Sequence, residues 1–275
     1  MKYSQEIKKY LELEWLKFSN NIVAKTIIVI FTLGFPFISL LGKRILRDAP
    51  PPLPSADMLY EFPSVWDFQA YIGSWFVPVL MGFLVIYMFT SEVSQRTMRQ
   101  NILTGLTRKE YFLSKITSIV ALSLFATVIY YISSIILGLI HTDVLDLELV
   151  FDNNLGGFRF FLMSFGFLCF ALLIAIIFRK GILSIIIYAA YMMAVETILR
   201  FILLFKLQER FPNFAPLNSI EDLTPNPLIR LPELFTIKEF DFKFLLTYPE
   251  AFLMTFVYTS LFILGSWIVF KKKDL

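Results

Sequence analysis

The 275-residue chain has a single cysteine, Cys169, and a single histidine, His141. One thiol closes no intrachain disulfide, and one thiol with one imidazole builds no zinc site from Cys and His ligands. Charge is scarce as well: 17% of residues are Asp, Glu, Lys or Arg, against about 25% in ordinary soluble domains. No Gly-x4-Gly-Lys-Ser/Thr phosphate loop occurs, so the chain carries no phosphate-loop ATPase of its own. The Gly-x-Ser-x-Gly elbow of serine hydrolases is also missing, and no repeat with a 20–50-residue period is visible. These absences leave no catalytic residue and no metal ligand set to name, and no nucleic-acid partner is expected. Apolar residues, in contrast, make up 57% of the chain and include 31 Phe, where soluble domains hold about 45–50%. A chain this size has too much surface to hide them from water, so the composition selects an all-α integral membrane protein.

A spanning helix needs roughly 20 mostly apolar residues to cross about 30 Å of hydrocarbon. Six stretches qualify: Ile22–Gly42, Tyr71–Thr90, Ile116–Ile140, Phe158–Phe178, Ile182–Leu204 and Ala251–Phe270. The first is read as a retained span, since Gly42-Lys43-Arg44 is no small-residue cleavage site. The chain is then one transmembrane domain over residues 1–275. With both termini on the same side, fourteen Lys and Arg fall on that side, close to span ends, and nine on the other. By the positive-inside rule both termini are expected to be cytoplasmic, in a multi-pass protein of the plasma (cytoplasmic) membrane.

The segments between spans carry the finer expectations. Residues 1–21 read as an interfacial amphipathic helix. Tyr3, Ile7, Tyr10, Leu11, Trp15 and Phe18 share a sector, and Glu14 intrudes on that stripe. Pro50–Pro54 reads as a stiff linker, and Phe62, Trp66, Phe68, Tyr71 and Trp75 as an interfacial aromatic belt. Pro36 and Pro78 predict kinks in the first two spans. Residues 205–249, rich in Pro and apolar side chains, read as short helices folded onto the outer surface. Lys25 lies near enough to the inner surface to snorkel.

Residues 91–115 are the most informative. Thr107 with Glu110 forms a capping-box pattern at a helix start. A helix from Arg108 to about Leu139 has 32 residues and is about 48 Å long. That is about 18 Å more than the hydrocarbon thickness, so the third span should project from the membrane. Upstream, Glu92–Leu103 reads as a second helix stopped near Gly105. The resulting hairpin carries Arg96, Arg99, Arg108, Lys109 and Lys115, with Ile102, Leu103 and Leu106 near its bend.

The order Glu92, Arg96-Thr97, Thr104-Gly105-Leu106-Thr107-Arg108 and Lys115 resembles the cytoplasmic signature of ABC type-2 transporter permeases. Arg96 stands where that family commonly has Gly. The resemblance extends in outline to the whole chain: a surface helix, six spans, this loop and a large outer segment before the last span. It implies a cytoplasmic coupling helix between spans 2 and 3 and a helical extracellular cap between spans 5 and 6. It also implies a homodimer or heterodimer with a second permease and a separate ABC ATP-binding subunit. No cofactor binds this chain directly; ATP and Mg²⁺ would be held by that subunit. Residues Glu92, Arg96, Thr97, Arg99, Gly105, Thr107, Arg108, Glu110 and Lys115 would then pass nucleotide-driven movement to the spans, in an exporter or a flippase of lipid-like substrate. The alternative is a non-transport membrane protein, either an intramembrane enzyme or an assembly scaffold.

Glu196 and Arg200 stand four residues apart within the fifth span, on one helix face. Together they cost roughly 5–7 kcal/mol at a helix centre, while the twelve Leu, Ile, Val and Phe of that span return roughly 4–7 kcal/mol. A near-balance of this kind predicts that the two side chains pair and face protein or water. The pair reads either as a functional site or as a structural ion pair with Arg200 snorkelling outward; membrane lipid is an expected partner of the spans as a whole.

Overall fold

The computed structural model describes residues 2–47, 56–143, 146–152, 155–227 and 245–273. The Pro50–Pro54 linker and the apolar run Leu228–Ile237 lie outside them. Among the described residues the elements are all helical. Helix α1 (Lys2–Ser19) precedes α2 (Ile22–Arg47), and the short α3 (Ala56–Tyr60) leads into α4 (Ser64–Ser94). A small helix α5 (Thr97–Leu103) is followed by the long α6 (Arg108–His141), then by α7 (Leu147–Phe151) and α8 (Leu155–Phe178). Helix α9 (Gly181–Leu207), a 3-10 turn at Phe211–Phe214, α10 (Pro216–Glu221) and α11 (Tyr248–Lys272) complete the chain. Helices α2, α4, α6, α8, α9 and α11 are each long and apolar enough to cross a membrane.

Helix α8 is the centre of the bundle. It packs against α4, α6, α9 and α11, and its mostly small or aromatic residues are largely buried. In hydrocarbon, apolar side chains gain nothing by leaving solvent, so packing and interhelical hydrogen bonds hold helices together, and small residues mark close approaches. Gly73 of α4 shows this: a Cβ there would fall 2.1 Å from the Phe160 ring of α8. Phe160 in turn stacks on Tyr130 of α6, centroids 4.5 Å apart, and Tyr130 donates to the Trp66 carbonyl at 3.1 Å. Helices α2, α9 and α11 pack on this core along one side and leave much of their apolar surface exposed.

Several expectations are corrected. Phe62, Trp66 and Phe68 are buried, and of the proposed aromatic belt only Trp75 is well exposed. Helix α4 begins at Ser64, ahead of the apolar run, so its first turns pack against α6 and α8. Trp66 also hydrogen-bonds inward, to the Val150 carbonyl at 3.1 Å. Arg159 is buried in the first turns of α8. It pairs with Asp67 at 3.2 Å and lies 4.1 Å from the Tyr248 ring centroid. Pro78 coincides with a π-helical stretch at Val77–Gly82, as expected where a residue without an N–H interrupts the ladder. Pro36 lies in a helix that is continuous from Ile22 to Arg47. In the segment after α9, the described residues 211–224 pack against the bundle. Leu217, Ile220 and Leu223 are buried, and α10 packs on α8 and α11.

Candidate functional site

The hairpin between α4 and α6 is shaped by local chemistry at each bend. Glu92–Leu103 is not one helix: α4 stops at Ser94, and Arg96 adopts a left-handed conformation with φ 59° before α5 begins at Thr97. That conformation costs an L-residue roughly 1–2 kcal/mol and favours glycine. Thr97 steadies the break by donating its hydroxyl to the Glu92 carbonyl at 3.2 Å. Helix α5 closes in a Schellman motif. The Leu106 N–H donates to Asn101 O at 3.1 Å and the Gly105 N–H to Ile102 O at 3.3 Å, with Gly105 at φ 122°.

Helix α6 opens with the expected capping box. The Glu110 N–H donates to Thr107 Oγ1 at 3.2 Å, and the Thr107 N–H donates to Glu110 Oε2 at 2.8 Å. Met98 anchors α5 by burial. Arg96, Arg99 and Leu103 face outward, Leu103 at 74% exposure. Arg108 turns away from the tip, and its guanidinium donates to the carbonyls of Lys271 and Lys273, both at 2.9 Å. It thereby caps the free carbonyls at the end of α11 with a cation, tying the hairpin to the last spanning helix. Lys273 repeats the device on α8, donating to Ile176 O at 3.3 Å and to Ile177 O.

At the root of the hairpin lies a buried charge cluster. Lys115, in the second turn of α6, contacts both oxygens of Glu14 at 2.9 Å and also pairs with Glu92 Oε1. Lys17 pairs with Glu14 at 3.0 Å and Glu92 at 3.1 Å. Tyr111 donates its hydroxyl to Glu92 Oε2 at 2.8 Å, and Ser114 and Ser118 donate to Glu14 at 3.2 and 3.1 Å. Lys115 stands 5.1 Å from the Tyr111 ring centroid, which adds a cation–π contact. Burial pushes the Glu14 carboxyl up, and the Lys115 and Lys17 ammoniums more than offset it, leaving its pKa at about 2. Two carboxylates and two ammoniums make the set neutral, and nearly every polar atom has a partner. Satisfied networks of this kind hold one geometry, whereas removing one member strands a charge at a cost of about 3–5 kcal/mol. The cluster therefore fastens α1 to the ends of two spanning helices at once.

The residues singled out from sequence thus divide by role. Glu92 and Lys115 meet at the root; Thr97, Gly105, Thr107 and Glu110 form the bends; Arg96 and Arg99 stay at the tip; Arg108 reaches α11. Sequence reasoning missed Glu14, Lys17, Tyr111, Ser114 and Ser118. The available signal was Glu14 itself, a carboxylate on an apolar stripe that required a buried cation as partner.

Glu196 and Arg200 lie in α9, toward the opposite end of the bundle, and form no ion pair in the structure. Glu196 instead accepts the Asn218 N–H of α10 at 2.7 Å, while Arg200 lies 5.0 Å from the Phe201 ring centroid. The pairing forecast from four-residue spacing fails because α10 folds inward and offers Glu196 a backbone donor. Asp222 belongs to the same region, accepting from the Leu246 N–H at 2.9 Å and from Asn218 Nδ2 at 3.2 Å. Among the described residues no three His, Cys, Asp or Glu side chains converge as metal ligands.

In sequence comparison, the model of the family described as ABC-2 family transporter protein matches residues 10–195. That range contains the whole charge cluster and the hairpin, and stops one residue before Glu196. No curated protein matches the chain.

Proposed function

The chain belongs to the ABC-2 family of transporter proteins, and on that premise we propose that it is the membrane-spanning half of an ATP-driven exporter. It is a multi-pass permease of the ABC transporter class. In our reading the Glu92–Lys115 hairpin docks a separate ATP-binding subunit, which holds ATP and Mg²⁺, and two permease chains, identical or different, form the pathway. The observation that carries this reading is the braced lever at the α4–α6 junction. It has a cationic and apolar tip (Arg96, Arg99, Leu103) and a capped start. Its rigid root runs without interruption into α6 as far as His141. A tip displaced by a closing partner cannot bend at that root without breaking buried ion pairs, so its movement passes to α4, α6 and α1 together. Through Arg108 it passes to α11 as well.

The orientation that follows places the hairpin, both termini and the α8–α9 turn on the cytoplasmic side of the plasma membrane, with α10 in the outer cap. The direct contact of Arg108 with Lys271 and Lys273 supports hairpin and C-terminus sharing one side. Glu196 then serves as the joint between α9 and the cap, rather than as half of an intramembrane ion pair.

Co-purification tests the proposal. The ATP-binding subunit should accompany the wild-type chain and be lost from Arg96→Glu/Arg99→Glu. Arg108 is left unaltered because reversing it would also uncap α11. Retention of the subunit with full ATP-driven transport in that variant contradicts the docking role.

A further inference from the structure

Beside the charge cluster, α1, α2 and α6 enclose a cleft of about 450 Å³, within the range of roughly 300–1,000 Å³ typical of small-molecule sites. Its walls are apolar: Leu11, Trp15 and Phe18 of α1, Ile28 of α2, and Leu122 and Phe125 of α6. The α6 side is a continuous stripe, since Ser118, Ala121, Leu122 and Phe125 follow the spacing of one helix face. Trp15 and Leu11 remain 70% and 42% exposed although they belong to the apolar side of α1.

Two charged residues line the cleft: Glu14, which is paired within the charge cluster, and Lys25. Lys25 is exposed, with no hydrogen-bond or ion-pair partner for its ammonium among the described residues. It sits in the first turn of the 26-residue helix α2, which has no acidic residue in that turn to offset its N-terminal partial charge. The neighbouring cluster is internally neutral, so it compensates none of this. An apolar cleft beside the start of a spanning helix, with an exposed and unpaired cation in its lining, matches one chemistry closely: an acyl chain along the apolar walls and a phosphate on the cation.

We propose that this cleft is a binding site for a membrane phospholipid of net negative charge, with one acyl chain lying between α1 and the α2–α6 surface and its phosphate on Lys25. The site goes beyond the docking reading and stands independently of it. Glu14 and Ser118 line both the cleft and the charge cluster, so the bound lipid packs directly against the fastening of α1.

The test places the full-length chain in nanodiscs of phosphatidylcholine containing a trace of phosphatidylglycerol with a photoactivatable acyl chain, with adducts mapped by peptide mass spectrometry. Adducts are expected at α1 residues 11–18 and α6 residues 118–125, reduced by unlabelled phosphatidylglycerol and unaffected by extra phosphatidylcholine or inorganic phosphate. Lys25→Gln should weaken competition roughly fivefold, the effect of one lysine at an anionic headgroup. Ala121→Trp, which fills the cleft from an exposed position, should abolish the α6 adducts while leaving the chain folded. Adducts spread over all bilayer-facing surfaces, such as those carrying Leu33 and Phe256, and indifferent to both variants, would show ordinary solvating lipid and overturn the proposal. Equal competition by phosphatidylcholine would overturn its charge selectivity.

Discussion

Replacing Lys115 by Met is the most demanding perturbation of the lever's root. It removes contacts to both oxygens of Glu14 and to Glu92 while keeping most of the side chain's volume. Two buried carboxylates then share Lys17, whose side chain is 25% exposed, so the pocket carries one uncompensated negative charge. The Glu14 carboxyl is depressed from 4.5 to about 2 by Lys115 and Lys17 acting together against burial, so losing Lys115 removes the larger share of that support. Stranding one partner of a buried pair costs about 3–5 kcal/mol, which sets the expected loss at about 3 kcal/mol or more. Glu14→Gln in the same chain restores neutrality, leaving Glu92 opposite Lys17, and should recover at least half of that loss. Equilibrium unfolding of the four proteins of this double-mutant cycle in mixed micelles gives the coupling energy directly. A loss below about 1 kcal/mol for Lys115→Met, or strictly additive effects of the two substitutions, would refute the view that the cluster is a closed and strongly coupled set.

Three further outcomes follow from particular residues. Arg96→Gly relieves a left-handed backbone and should leave stability unchanged or raise it by up to about 1 kcal/mol; Arg96→Val, with the same loss of charge but a β-branched side chain, should lower it, and equal unfolding midpoints would contradict the backbone argument. Gly73→Ala places a methyl carbon against Phe160 and should cost about 1–3 kcal/mol by overpacking, read as a lower Tm in detergent; an unchanged Tm would mean that α4 and α8 separate easily. Because the folded pKa of Glu14 is depressed, its stabilisation is complete above its ordinary value of 4.5 and is lost as pH falls toward about 2. Hydrogen exchange in α1 should therefore accelerate through that window and be flat there in Glu14→Gln.

What was legible in the sequence was whatever depends on near neighbours in the chain. Hydropathy located the six spans, and the start of α6 followed from Thr107 and Glu110, three residues apart and bonded as expected. The contents of the site depended on distant neighbours. Besides its near neighbour Lys17, Glu14 finds the buried Lys115 101 residues away, and Arg108 finds its carbonyls 163 and 165 residues away; no local pattern specifies these distant partners. The Glu196–Arg200 pairing was a local inference overruled by α10. The same holds for Trp66 and Phe68, whose aromatic rings beside a span suit an interface but whose place on α4 turns them into the bundle. Arg96 lies between these cases. Its departure from glycine was visible in sequence, and its cost becomes visible only with the backbone angle.

The central claim is that the α4–α6 hairpin meets an ATP-binding subunit at its tip. Leu103, 74% exposed and next to the Schellman turn, is the place to record that contact. A photo-crosslinking amino acid installed there, in the chain assembled with its ATP-binding subunit in membranes, should yield one dominant adduct to that subunit, with a yield that changes when ATP and Mg²⁺ are added. An intact, ATP-hydrolysing complex that gives no adduct from position 103 would contradict the account.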